Sequence, residues 1–468
     1  MTQCNTKSLT CTPLLDKKLE FDFEGGEITT DAGAILLREV EKKMNLFDRV
    51  AEVLVDKRTS PMVVHSVRDM LAQRIMGLCL GYEDLNDHAT LRNDPMMQIA
   101  TKDRIGEDAV LASPSTLCRW ERKVTRKELL NVNKMLVDFF LDTYKEPPKQ
   151  IVLDFDATDC LLYGNQEGRY FNAYYDDYCY LPLYVTCGNF LLFAYLRESF
   201  HSAAHNTRPV LKFLVEKIRS RFPDVEIVFR GDSGFGAPDI LRWCEVNNVR
   251  YIVGFNGSNK LANRFLYERK HAYVKYLFKC EDTRCYGDFL HVGKNWYYRQ
   301  WRSGCKRPKR IFIQRRVIYK AEHNDRGENN RYIVTDLQGS CRELYENVYC
   351  ARGDMENRIK ENKNFLFACR TSSSEFCANQ LRVLLSGLAY VLMNEVRRTT
   401  LSGEELASAQ CDTIRTKLIK VAARVVKSVR RVAIHFSSSY PRSELFARIM
   451  LKAQASLSEE AVFTPQLE

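Results

Sequence analysis

The sequence predicts an α/β protein built on a mixed sheet flanked by helices, with a helical N-terminal domain and a β-rich insertion. Three observations predict it. From about Thr30 to Tyr144 the chain reads mainly as helices. At Glu146-Pro147-Pro148-Lys149 the texture changes, and the run from Ile151 to Asp159 opens with the β-branched and apolar residues of a strand. Two strands joined by a hairpin follow, then helix, strand, helix, strand, an order that gives a mixed sheet with helices packed on it.

The elements take their limits from local chemistry. Ala34 to Met44, Val63 to Leu80 (with Pro61 at its start) and Leu129 to Tyr144 are the N-terminal helices. Ser113 caps a further helix that Pro114 opens, and Thr116, Arg119 and Lys123 share a face at i, i+3, i+7. Such a face suits a major-groove reader or a phosphate contact, and an ordinary surface helix carries the same pattern. Tyr180 to Cys187 and Phe190 to Leu196 are strands around Gly188-Asn189. Asn206 to Phe222 and Pro238 to Asn247 are helices, and Val225 to Asp232 and Tyr251 to Phe255 are strands. Between Gly257 and Asn330 Tyr, Phe, Lys and Arg dominate, with strands over Ile311 to Tyr319 and, just beyond, Arg331 to Leu337. Phe376 to Arg398 is a long apolar helix, Ile414 to Arg431 a basic amphipathic one, and Val432 to Phe436 a closing strand.

Composition narrows the function classes. The chain has 468 residues and 70 Lys+Arg against 59 Asp+Glu, a net charge of +11 that favours an anionic partner, nucleic acid first. No run of about 18 apolar residues marks a transmembrane span, and the first residues lack the apolar core of a signal peptide. In such a chain the sixteen cysteines read as reduced thiols.

The stretch from Glu346 to Lys363 carries the most chemistry. On a regular helix Tyr349, Arg352, Glu356 and Lys363 fall within an arc of roughly 60°, and Lys360 joins them. One face then presents a phenol, a carboxylate and three cations, which suits a polyanion backbone with one metal-binding acid among the cations. A solvated face of ion pairs gives the same spacing. Two upstream acids add weight. Asp156 lies on the first strand and Asp232 ends the fourth, so if those strands are neighbours their carboxylates meet at one end of the sheet.

These residues resemble a DDE transposase of bacterial insertion sequences. Tyr349, Arg352, Glu356 and Lys363 match the Tyr-Arg-Glu-Lys signature of the cut-and-paste group with an RNase H-like core. Leu153 to Asp159, Arg230 to Phe235, Arg331 to Thr335 and Glu356 to Glu361 are similar to the insertion sequence thirteen-eighty family. The resemblance implies Asp156, Asp232 and Glu356 as catalytic acids and metal ligands. Asp154 and Asp159 remain alternatives for the first; Asp156 is preferred because Ala-Thr follows it. It implies Mg²⁺ as cofactor, with Mn²⁺ able to substitute, because a few carboxylates suffice for hard cations that keep some waters. Tyr349, Arg352 and Lys363 would hold DNA phosphates, with Lys360 beside them. In the insertion Trp296 and Trp301 are candidates to stack on a base turned out of the duplex, although a small β-domain also buries tryptophan in its core. Arg119 and Lys123 are DNA-binding candidates in the N-terminal region.

The domain reading is 1–145 helical and DNA-binding, 146–256 the first part of an RNase H-like core, 257–330 a β-rich insertion, 331–400 the final part of the core, and 401–468 a basic C-terminal region. The implied activity is cleavage at the ends of an element and joining of the 3′-hydroxyls to target DNA. The implied partners are double-stranded DNA with terminal inverted repeats, target DNA, and a second copy in a synaptic homodimer, with no membrane. The implied location is the bacterial cytoplasm, at the nucleoid. A metal-dependent nuclease without strand transfer and a non-catalytic repressor descended from a transposase are the rival readings.

Overall fold

The computed structural model describes residues 9–58, 63–257, 259–300 and 307–455. The chain forms two compact units. Of the described residues, one takes those up to Val124, Phe365–Phe367 and those from Leu388 to Ala455; the other takes those within Thr125–Asn364 and Ala368–Gly387.

The first unit is mainly helical. Ala34–Met44 matches the expected helix, and Val67–Leu80 begins at Ser66, whose hydroxyl accepts from the Asp69 amide. Val67–Leu80 is buried nearly all round, so its polar residues must find partners inside. Arg74 pairs with Glu121 at 3.0 Å, and the Gln73 side-chain nitrogen lies 3.1 Å from Nδ1 of His88. The expected helix over Ile414 to Arg431 is corrected. Helical turns stop at Ile419, and Ala423–Lys427 is a strand between Val432–Phe436 and Ile28–Thr29. Val421, Ala423 and Val425 are buried while Arg424 and Val426 are exposed, so the burial period there is two and not 3.6.

The second unit is organised on a nine-stranded sheet. Its strands are β1 (Gln150–Ala157), β2 (Leu183–Cys187), β3 (Phe190–Tyr195), β4 (Glu226–Gly231), β5 (Arg250–Phe255), β6 (Thr283–His291), β7 (Arg315–Asn324), β8 (Gly327–Glu328) and β9 (Arg331–Thr335). The order is β6-β7-β9-β5-β4-β1-β2-β3, with β8 paired to β7. β1, β4 and β5 are parallel, while β2 runs antiparallel to β1 and β3 to β2. Alternation on β1 sets the two faces. Ile151, Leu153 and Phe155 enter the large core with Leu214 and Ile218 of helix Thr207–Arg221 and Ile240 and Leu241 of helix Pro238–Val246. Each such side chain contributes about 1.5–3 kcal/mol by leaving water. Val152 packs on the other face with Val228, Ile252, Ile333, Leu344 and Tyr345.

The outer strand β3 is covered by two helices. The Asn133 side-chain oxygen on helix Arg126–Leu141 accepts from the Ala194 backbone amide at 2.9 Å. Gln380, on helix Phe376–Thr399, accepts from the Leu196 amide and donates to the Ala194 carbonyl. That helix is long and apolar enough to cross a membrane, yet 78% of its apolar window is buried, as in a core helix. Segment 257–330, expected as a separate β-rich insertion, brings a 14-residue helix (Leu266–Lys279) and strands β6 and β7, which extend the main sheet. The expectation of reduced thiols fails at one pair: Cys160 and Cys369 form a disulfide across 209 residues, with Cα atoms 5.0 Å apart.

Candidate active site

The site grows from neighbouring strands. β1 and β4 are parallel, with Asp154 opposite Arg230 and Phe155 opposite Gly231. Asp156 and Asp232 therefore leave the same end of the sheet. Asp154, one alternative for the first acid, is committed elsewhere. Its carboxylate is nearly buried and takes two guanidinium nitrogens of Arg230, one of them at 2.7 Å. The third Arg230 nitrogen donates to the Val348 carbonyl. This buried fork ties the Val348 segment to the sheet. Asp159, the other alternative, holds Lys363 Nζ at 2.9 Å.

The stretch expected as one α-helix is continuous but uneven. Leu344–Tyr349 and Glu361–Phe365 are π-helical, Cys350–Arg352 is a 3₁₀ turn, and Gly353–Lys360 is α-helical. The changes of pitch break the regular wheel, and π turns are frequent at functional sites. Tyr349 lies over β5, its hydroxyl so close to Gly254 that an added Cβ would sit 2.8 Å from it. Lys360 is exposed at the end of the α-helical part, and Lys363 turns back to the end of β1.

Arg352 joins the acids. One terminal nitrogen donates to Asp156 Oδ2 at 3.0 Å, the other to Glu356 Oε1 at 2.9 Å. The other Asp156 oxygen accepts from the Ala157 amide at 2.9 Å. Asp232 caps the turn Ser233–Phe235 through the Gly234 amide at 2.8 Å. Burial pushes the Asp156 carboxyl up to about 6. Arg352 opposes this, and the charges of Asp232 and Glu356 add to it. Those couplings place the three expected acids in one electrostatic neighbourhood. Beside Asp232 opens a pocket of about 700 Å³ lined by Ser233, Arg269, Lys320, Arg331, Tyr345 and Tyr349.

Two carboxylates on one guanidinium, with Asp232 near enough for its charge to be felt by Arg352, are hard oxygen donors of the kind that suits a divalent ion. Among the described residues no group of three or more His, Cys, Asp or Glu is already arranged to hold a metal. Arg352 supplies the counter-charge between Asp156 and Glu356 in this state.

The remaining candidates lie elsewhere. Trp296 is corrected from an offered stacking surface to a core residue. It is 3% exposed, 5.3 Å from the Phe255 ring, with the Arg315 guanidinium 4.9 Å from its own. Trp301 lies outside the described residues. Arg119 is exposed in the N-terminal unit on helix Pro114–Glu121. Lys123 is also exposed but falls beyond that helix, so the i, i+3, i+7 face is cut short. Sequence reasoning gave no role to Arg230. An arginine within an apolar strand, two residues before an acid, was the available signal.

Comparison with known proteins decides the family. A model described as transposase DDE domain group 1 matches residues 11–457. The chain belongs to this DDE transposase family. Membership places it among enzymes of DNA transposition, a class generally dependent on divalent metal. No curated protein matches it. Among solved structures it is similar to a piggyBac transposase synaptic complex with hairpin DNA, at 9% identity and a TM-score of 0.43, covering 82% of this chain and 79% of that one. A likeness that distant carries no argument about mechanism.

Proposed function

We propose that this transposase cleaves phosphodiester bonds at the ends of a bacterial insertion sequence and joins the freed 3′-hydroxyls to target DNA. The observation that carries the reading is the meeting of Asp156 and Glu356 on Arg352, with Asp232 just past the end of the adjoining strand. An acid on a central strand and a second just past the end of its parallel neighbour support an RNase H-like core over 146–256 and 331–400. The Tyr349, Arg352, Glu356 and Lys363 spacing supports the insertion sequence thirteen-eighty family.

Asp156, Asp232 and Glu356 would hold Mg²⁺, or Mn²⁺ in its place. Held there, such an ion would supply Lewis acidity toward an attacking water or 3′-hydroxyl and toward the departing oxygen. The chain's own groups bind and orient the DNA. Arg352 exchanges its carboxylates for a phosphate, which it can meet with two parallel donors. The Tyr349 hydroxyl donates to a phosphate oxygen, and Lys360 and Lys363 add positive charge along the strand. Arg119 and Lys123 contact DNA from the N-terminal unit. The working form is a homodimer holding two ends, in the bacterial cytoplasm at the nucleoid.

The test supplies duplex carrying the terminal inverted repeats, with Mg²⁺. Cleavage followed by strand transfer is the expected result. Cleavage alone identifies a nuclease, and binding without cleavage a repressor. Glu356→Gln is expected to bind ends and neither cut nor join them; normal turnover in that variant removes Glu356 from the site.

A further inference from the structure

Between β3 and helix Thr207–Arg221 the chain crosses a loop, residues 198–206, that reaches the turn after β4. Ala203 of this loop packs on Gly234. A Cβ added at Gly234 would sit 3.1 Å from the Ala203 Cβ and 3.0 Å from Asp232 Oδ1. The Gly234 amide is the group that donates to Asp232 Oδ1, at 2.8 Å. Ala203, Gly234 and the Asp232 carboxylate thus form one line of contact, and a shift of the loop is passed to the acid.

Packing alone does not hold the loop. A cavity of about 610 Å³ opens beside it, lined by His201, His205 and Asn206 of the loop and by Phe193, Val210 and Phe213. Arg197 supplies the hold. It lies just past β3, 2% exposed, and its guanidinium donates to the backbone carbonyls of Leu181 at 2.9 Å, Ala203 at 2.8 Å and His205 at 2.7 Å. Two of those three carbonyls belong to the loop. Among the described residues no carboxylate pairs with this arginine, and its other terminal nitrogen is buried without a partner. Burial pushes its guanidinium down to about 10. A buried cation without a counter-ion is unfavourable in itself. What an arginine brings here is geometry, a rigid planar head that reaches three carbonyls at once.

We propose that Arg197 is a positioning residue for Asp232: it grips the 198–206 loop from inside, keeps Ala203 against Gly234, and so fixes the carboxylate for its cation. The inference rests on the reading of Asp232 as a metal ligand and adds a residue that acts through it. Support of this kind sets how firmly a ligand is oriented before the ion arrives.

The experiment titrates Mn²⁺ alone into the full chain, follows binding by electron paramagnetic resonance, and measures melting temperature beside it. Arg197→Lys keeps the charge and loses the fork. It is expected to weaken Mn²⁺ binding at least about tenfold, the size usual when a ligand loses its supporting group. Ala203→Gly removes the contact and leaves Arg197 intact. A smaller weakening of about threefold is expected, with little change in melting temperature. Val210→Ala alters the cavity wall away from the loop. It is expected to lower the melting temperature and leave Mn²⁺ binding within about twofold of the wild type. Wild-type binding in Arg197→Lys or in Ala203→Gly overturns the proposal, and Ala203→Gly decides alone if Arg197→Lys does not fold. Equal weakening in all three variants overturns it too, since the loss then follows stability. Wild-type binding in Asp232→Asn, or no binding by the unaltered chain, removes Asp232 from the metal site, and the reading on which this inference rests falls with it.

Discussion

Asp154 and Asp156 stand two residues apart on the same face of β1, each beside an arginine, and the two pairs are built differently. Arg230 gives two nitrogens to one carboxylate, and the side chains of that pair are 10% and 4% exposed. Arg352 divides its nitrogens between Asp156 and Glu356, whose side chains are 15% and 48% exposed. The inner pair has its charges matched and its third nitrogen spent on the Val348 carbonyl, so it fixes the scaffold. The outer arginine serves two acids at once, and either contact can be exchanged for a ligand without opening the core. Depth on one strand thus separates a structural carboxylate from one available for chemistry.

The largest expected effect tests that division directly. Asp156→Asn and Glu356→Gln are each expected to lower DNA cleavage by at least about a thousandfold while end binding persists. Equal loss of cleavage in a well-folded Asp154→Asn chain would break the comparison. Next comes stability. Arg230→Met strands a buried carboxylate and is expected to cost about 3–5 kcal/mol in urea unfolding. Arg352→Met, at the open end, is expected to cost about 0–1 kcal/mol. Gly254→Ala falls between them, because its Cβ would sit 2.6 Å from the Ser233 amide nitrogen and 2.8 Å from the Tyr349 hydroxyl. A loss of about 1–3 kcal/mol is expected, with weaker cleavage as Tyr349 is displaced.

The smallest effect is a slope with pH. Asp156 titrates near 6 in the folded chain against an ordinary 3.8, so the folded state carries the extra proton between those values. Its contribution to stability is complete below 3.8 and is lost as pH rises through about 6. Asp156→Asn is therefore expected to gain in melting temperature on the wild type across that window without divalent ions. Mg²⁺ is expected to narrow the gap at neutral pH. A gap independent of pH would show that burial leaves Asp156 unperturbed.

The strands that lead to Asp156 and Asp232 were legible from their β-branched and apolar runs, but their adjacency stayed a condition until the parallel pairing of β1 with β4 met it. The helix Ala34–Met44 was legible for the same kind of reason. What was not legible depended on phase or depth. A π turn adds a residue without altering hydrophobic spacing, so the 346–363 wheel gave no warning that Lys363 folds back to Asp159. The aromatic and basic residues around Trp296 read alike whether the ring is offered to solvent or buried, and here it is buried. Val421 and Val425 fit a helical stripe as well as a strand face, and pairing with Val432–Phe436 decided the matter. Tyr163 and Tyr174 were in plain view, but their exposure is a property of the fold.

The bond between Cys160 and Cys369 encloses both β4 and the Arg352 turn within one covalent ring. A protease that nicks the backbone once anywhere inside that ring leaves the fragments tethered. They travel as a single band in a denaturing gel until a thiol reagent parts them.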